Sequence, residues 1–506
     1  MSVYGRKLTA SLLALCLILG LAACGDGGED SDAERLSGPI YVPEFIELDL
    51  ELDYVNGGCC DGRYIYILGE ISTPRLYNGQ GEVVRGLTEA EAEAFWSDPA
   101  AGEDGSYVSR ANESKLFRVS LDGAEIVELE NFTATTFASP MEGEAYLWDL
   151  TAGADGTLWL TETITTYLYD APEGVELTME NMWEYQTGGE EKEIRRQLDS
   201  TGSELTRIDA AGLEAALGVS GENVYLDTPI LDGEGNFYLM VSDNNGSAAH
   251  SEIVVLDSEM NELFTLELGG AARGDLSPLG DGTVGLSCSV PDEADPVTRK
   301  PVLRVIDPEA KDWGAEYDLP TDPDKIYAGG GDYLFYYEND GSIYGYHAET
   351  GEGVHLINWL DAGISASDLE FFTFLEDGRV VVMTRSWDSG GAGVELAVLS
   401  EADASAPEEK IVLTYGCMSL DYPGSGVRDA ILEFNQTNPK YRIEVRDYSE
   451  YNTSDDHTAG LTRLNTELIA GNGPDILDTN LIPIRQYGAK GLLEDLWPYI
   501  EADAEL

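Results

Sequence analysis

A tight turn followed by a short apolar or aromatic run recurs along most of the chain. The instances are Asp61-Gly62-Arg63-Tyr64-Ile65-Tyr66, Asp155-Gly156-Thr157-Leu158-Trp159, Gly235-Asn236-Phe237-Tyr238-Leu239, Asp281-Gly282-Thr283-Val284, Gly331-Asp332-Tyr333-Leu334-Phe335 and Asp377-Gly378-Arg379-Val380-Val381. Each is followed by a second apolar run, often closed by Asp, such as Leu116 to Val119, Leu205 to Asp209, Ile253 to Asp257, Val302 to Asp307, Ile343 to Tyr346 and Leu396 to Leu399. Asp-Gly turns between β-branched and aromatic runs are hairpin chemistry. The later units repeat at about 40–50 residues, the length of one four-stranded propeller blade. Six units predict a six-bladed β-propeller over residues 40–405; seven blades, a β-sandwich or an irregular solenoid are the alternatives. Phe45 to Leu52 alternates apolar and acidic residues ahead of the first turn, and is expected to lend a strand to the last blade.

Two insertions lengthen the first units. Thr88-Glu89-Ala90-Glu91 is a capping box that opens a short helix running toward Trp96. Residues 185–217, with Lys192, Arg195 and Arg196, read as a second, charged and helical excursion. Both belong on one rim of a propeller, where such folds carry function.

After residue 408 the period changes. Ile411 to Tyr415 is a strand, and Val427, Ala430, Ile431 and Phe434 mark one helix face. Tyr441, Ile443 and Val445 then alternate with charged residues as a second strand. Leu461, Leu464 and Leu468 stripe a second helix, which Gly471 or Gly473 stops in the left-handed conformation and Pro474 cannot continue. Ile476-Leu477 is a third strand, with Asp478, Thr479 and Asn480 just past its carboxyl end. Strand, helix, strand, helix, strand within about seventy residues predicts a parallel sheet.

The ordered set Phe434-Asn435, Asn438-Pro439, Gly471 to Ile476 and Gly491-Leu492-Leu493-Glu494-Asp495-Leu496 resembles the N-terminal lobe of extracellular solute-binding proteins, the maltose-binding-protein-like receptors of ABC importers. The resemblance covers residues 408–506. It implies a partial α/β periplasmic-binding-protein-like lobe, a small solute that is most often a sugar or oligosaccharide, and an ABC transporter permease as partner. Because the family closes two complete lobes over its ligand, the sequence is expected to be a fragment of a longer protein. Ligands of open α/β sheets sit at the carboxyl ends of the strands. Tyr415, Ser419, Asp478, Thr479 and Asn480 are therefore the candidate contacts, the tyrosine for stacking and the others for hydrogen bonds to hydroxyls.

At the other end, Arg6 and Lys7 precede an apolar run from Leu8 to Leu19, too short to span a bilayer and right for a signal-peptide core. The following Leu21-Ala22-Ala23-Cys24-Gly25 resembles a bacterial lipobox. That resemblance implies removal of residues 1–23 and acylation of Cys24, hence anchoring on the extracellular face of the cell membrane. Residues 24–39 are expected to form a flexible tether.

Ninety-five acidic against twenty-nine basic residues give a formal charge of −66, which excludes nucleic acid as a partner. Only four histidines and six cysteines occur, with no metal-ligand spacing; the adjacent Cys59 and Cys60 read as small apolar residues entering a strand. No Ser-His-Asp order or phosphate loop appears, so no cofactor, metal or catalytic residue is expected. The expectation is a membrane-anchored binding protein rather than an enzyme. A lipid-anchored propeller enzyme acting on glycans and a propeller interaction scaffold are the alternatives.

Overall fold

The computed structural model describes residues 41–48, 50–98, 101–102, 105–153, 156–209, 224–226, 230–243, 250–259, 261–268, 274–291, 299–320, 323–339, 341–366, 369–385, 394–402, 410–418, 426–438, 440–452, 458–480 and 482–502. The signal peptide, Cys24 and the tether lie outside the described residues, as does the boundary placed between 405 and 408.

Six antiparallel sheets follow one another along the chain. Blade 1 begins with the inner strand Tyr54–Cys60, followed by Tyr64–Tyr77, Tyr107–Ser120 and Ile126–Glu128. Blade 2 comprises Gly143–Ala152, Leu158–Tyr169, Gln186–Leu198 and Glu204–Asp209. Blade 3 has a divided inner strand, Val224–Leu226 and Ile230–Leu231, both paired to Phe237–Asp243. Blade 4 starts at Asp275–Pro278 and blade 5 at Lys325–Ala328. Blade 6 starts at Leu369–Phe374, and its outermost strand is Tyr41–Ile46, paired antiparallel to Val394–Glu401. The ring is closed by its own beginning, as the alternation had suggested, but with Tyr41–Ile46 rather than the later part of that stretch. Leu48, Leu50 and Leu52 pack instead, without strand pairing, into the core between blades 1 and 6.

The repeated turns have one structural cause. Each links a blade's first strand to its second, and Gly62, Gly156, Gly235, Gly282, Gly331 and Gly378 all take φ between +63° and +87°, where a Cβ is strained. The aspartates hold these turns: the Asp61 and Asp232 carboxylates accept backbone N–H groups and also the hydroxyls of Tyr66 (3.2 Å) and Tyr238 (3.0 Å). Apolar side chains alternate on the two faces of each blade and meet those of the neighbours. Tyr66, Leu68 and Leu116 of blade 1, for example, pack on Leu147, Leu158 and Leu160 of blade 2.

The excursion expected to be helical between 185 and 217 is β-structure where described. Gln186–Leu198 pairs along its whole length with Leu158–Tyr169, and Glu204–Asp209 forms the blade's outer strand. The charged run there suits a helix locally, yet Arg196 is 1% exposed because its guanidinium is fully used. It donates to Glu204 (2.7 Å), Glu162 (3.2 Å) and the Thr133 carbonyl (2.7 Å), while Glu162, itself fully buried, accepts the Thr135 N–H at 2.6 Å. Tertiary pairing overrides local propensity. The helix after the capping box does form, at Glu89–Ser97, with both reciprocal hydrogen bonds of Thr88 and Glu91. These insertions extend the blade 1 and blade 2 hairpins past the starts of the inner strands and touch each other there, through Met179 N–H to Gly79 O at 2.9 Å.

The C-terminal segment carries a three-stranded parallel sheet with Ile411–Cys417 in the middle, flanked by Tyr441–Asp447 and Ile476–Leu477. Helices Gly426–Thr437 and Ala459–Ala470 connect them, and Gly471 stops the second at φ +81°. The segment rests on the connection between blades 5 and 6. Leu360 packs with Cys417 and Ile431, and Gln436 donates to the Gly363 carbonyl at 3.1 Å. That connection leads into the start of an inner strand, so the segment stands on the same face of the ring as the two insertions.

Candidate functional site

Two loci gather polar side chains on that face. The first is at the carboxyl ends of the parallel strands. Tyr415 is paired in register with Ile476, and Asp478 follows two residues later, its N–H donating to the Gly416 carbonyl at 2.9 Å. Gly416 is required at this crossing, because a Cβ would stand 2.4 Å from the Pro474 ring. Burial pushes the Tyr415 hydroxyl up to about 12, followed by the negative charge of Asp478, with which that hydroxyl also forms a hydrogen bond. Asp478 in turn accepts the Asn480 N–H at 2.8 Å, and both Thr479 and Asn480 are exposed. Below them, Thr414 and Asp475 clasp the edge strand through reciprocal bonds of 2.9 and 3.0 Å. Tyr415, Asp478, Thr479 and Asn480 thus share one strand end; Ser419 lies outside the described residues. The Tyr415 ring also packs beside Cys417 and Ile431, which leaves less of it free for stacking than the sequence suggested.

The second locus was not foreseen. The inner strands of blades 6, 1 and 2 are each interrupted by a register shift, between Leu369 and Phe371, between Val55 and Gly57, and between Trp148 and Thr151. The residues set free are Glu370, Asn56, and Asp149 with Leu150. A bulge re-aims a side chain out of the alternating pattern. The inner strands of blades 4 and 5 pair without any shift. The three bulges meet: a Cβ on Gly57 would lie 3.5 Å from Glu370 Oε1 and 3.4 Å from Leu150 Cβ.

Each freed polar group is braced from behind. Arg385 pairs with Glu370 at 3.1 Å and donates to the Val55 carbonyl at 2.9 Å. Asn56 donates to the buried Glu70 at 2.8 Å, and Arg195 pairs with Asp149 while donating to Thr161 Oγ1 at 2.8 Å. Asp149 holds φ at +56°, an uncommon conformation for a residue with a side chain. Burial raises the carboxyls of Glu370 and Glu70; the guanidinium of Arg385 opposes this at Glu370, and hydrogen bonds from Asn56 and Asn112 oppose it at Glu70. No signal in the sequence marks these residues, since one inserted residue does not disturb the visible alternation of so short a strand.

Cys59, Cys60, Cys288 and Cys417 are free thiols. Among the described residues no cluster of three or more His, Cys, Asp or Glu side chains could hold a metal ion, and no helix is long and apolar enough to cross a membrane.

No family model matches the chain, and no curated protein matches it. Among solved structures it is similar to the crystal structure of Porphyromonas gingivalis dipeptidyl peptidase 4, at 10% identity and a TM-score of 0.28, over 82% of this chain and 51% of that one. It is also similar to the dihydro-heme d1 dehydrogenase NirN, at 13% identity and a TM-score of 0.27, over 69% of this chain and 64% of that one. A third likeness is to the Dos1 propeller, at 12% identity and a TM-score of 0.28, over 72% of this chain and 96% of that one. The chain spans about half to two thirds of the length of the first two. The count of six blades rests on the pairing of the sheets themselves.

Proposed function

We propose that this chain is a membrane-anchored, extracellular solute-binding protein serving an ABC importer, with a neutral saccharide as its solute and the propeller standing between anchor and capture site. The observation that supports it is the Tyr415–Asp478 pair at the carboxyl ends of adjacent parallel strands, the position where open α/β sheets hold small ligands. A phenol and a carboxylate side by side can donate to and accept from sugar hydroxyls without any covalent step. The reading requires no cofactor.

A thermal-shift screen of saccharides, amino acids and short peptides tests the ligand class. Stabilisation by at least one neutral saccharide is expected, and stabilisation by amino acids or peptides alone would move the ligand to another class. Anchoring is tested separately by metabolic acyl labelling of Cys24→Ala. Loss of label and retention of the uncleaved leader are expected; a variant processed and membrane-bound like the wild type would sink the lipid anchor.

A further inference from the structure

We propose that the mouth of the propeller channel, where bulged inner strands of blades 6, 1 and 2 present Glu370, Asn56 and Asp149, is a second binding site for a neutral, hydroxyl-rich ligand of the saccharide class. It is separate from the Tyr415–Asp478 locus and does not depend on it.

The bulges are the first reason. A propeller blade needs none, as blades 4 and 5 show, yet three adjacent blades carry one at the same end of the inner strand. Bulges recur beside functional sites because they place a side chain where regular alternation cannot. Here all three place a polar group, and each group is held by a partner in the layer behind, Arg385, Glu70 or Arg195.

The second reason is a donor left over. Arg195 is 8% exposed, and its Nε–H has no hydrogen-bond partner although the same guanidinium serves Asp149 and Thr161. Buried donors in folded proteins are almost always satisfied, and an orphan beside a polar opening marks the place of an absent acceptor.

The chemistry of that acceptor follows from the charges. Asp149 and Glu370 are each already matched by a guanidinium, so an ionic ligand would have to break a pair whose separation is costly. A neutral hydroxyl breaks nothing. It donates to a spare carboxylate lone pair or to the Asn56 carbonyl oxygen, and its own oxygen accepts from Arg195 Nε–H. The formal charge of −66 further disfavours anions. Trp148, next to Asp149 and half-buried, has its indole N–H held by Thr163 Oγ1 at 3.1 Å, which leaves a fixed aromatic face beside the polar group. Polar groups that both donate and accept, next to an aromatic plane, suit a sugar ring.

The test is calorimetric titration of the whole chain with maltose, cellobiose and xylobiose, in the wild type and in Asn56→Ala, Glu370→Gln, Trp148→Leu and Asp478→Ala. At least one disaccharide should bind with an affinity that falls roughly tenfold or more in Asn56→Ala and Glu370→Gln, about 1.4 kcal/mol per tenfold step. Asp478→Ala should leave that affinity unchanged. If either polar variant melts far below the wild type, Trp148→Leu, which leaves the ion pairs intact, must still weaken binding. Absence of binding to all three sugars would overturn the proposal. So would binding that only Asp478→Ala weakens, a result that would leave the other locus standing.

Discussion

The ring and the segment docked on it bury their apolar residues in different ways. In the propeller every blade is covered on both faces by its neighbours, and Ile65, Leu68, Leu160, Leu239, Val302 and Val380 are at most 1% exposed. In the C-terminal segment burial is patchy. Tyr448, Leu464 and Tyr487 form a small centre, while Ile469 is 77% exposed and Leu496, Trp497 and Tyr499 are each 62% exposed. Closed repetition gives each strand two partners and two covers; a three-stranded open sheet offers its outer helices no second layer. The ring therefore serves as a stiff platform, and the segment on it is the part with freedom to respond to a ligand.

The largest effect on this contrast is expected within the ring. Glu162→Ala strands the fully buried Arg196 guanidinium beside one remaining carboxylate, Glu204, and should cost about 3–5 kcal/mol in urea unfolding. A cost below about 1 kcal/mol would mean that the blade 1–blade 2 contact is wetter than its geometry. Next come matched truncations in the two regions, Leu68→Ala and Leu464→Ala, both of fully buried leucines and both costing about 2–5 kcal/mol. In a calorimetric scan the first should lower the main transition and the second only a smaller, earlier one. A single transition that both lower equally would show that ring and segment unfold as one unit.

A smaller effect concerns Glu70. Burial raises its carboxyl above the ordinary glutamate value of 4.5, so the folded state holds that proton more tightly than the unfolded chain. Its contribution is complete below the unfolded value and is lost as pH rises through the folded one. Glu70→Gln should then be more stable than the wild type at neutral pH, with the gain vanishing near pH 4. A gain that is the same at both pH values would contradict the assignment.

The blades were legible because their turns need particular residues. Asp accepts the turn N–H groups and Gly takes the left-handed position, so a structural requirement left a repeating mark at Asp61-Gly62, Asp281-Gly282 and Asp377-Gly378. The parallel sheet showed through for a similar reason, since helix and strand periods alternate and Gly471 stops a helix. Burial of charge left no such mark. Glu190 to Arg196 reads as a solvated helix until Arg196 meets Glu162, far off in the chain, and that pairing makes it a strand. The channel mouth was hidden in the same way, because Asn56, Asp149 and Glu370 are set apart only by one shifted register in each strand. Of the candidate contacts, strand ends located Tyr415 and Asp478, but the hydrogen bond between them is a product of packing.

The claim that the Tyr415–Asp478 pair holds a solute is tested most directly by titrating the saccharide identified in the thermal-shift screen against the wild type and Asp478→Ala by calorimetry. The account predicts at least about a tenfold loss of affinity in the variant, with its melting temperature unchanged. An affinity equal to that of the wild type in a folded Asp478→Ala protein would contradict it.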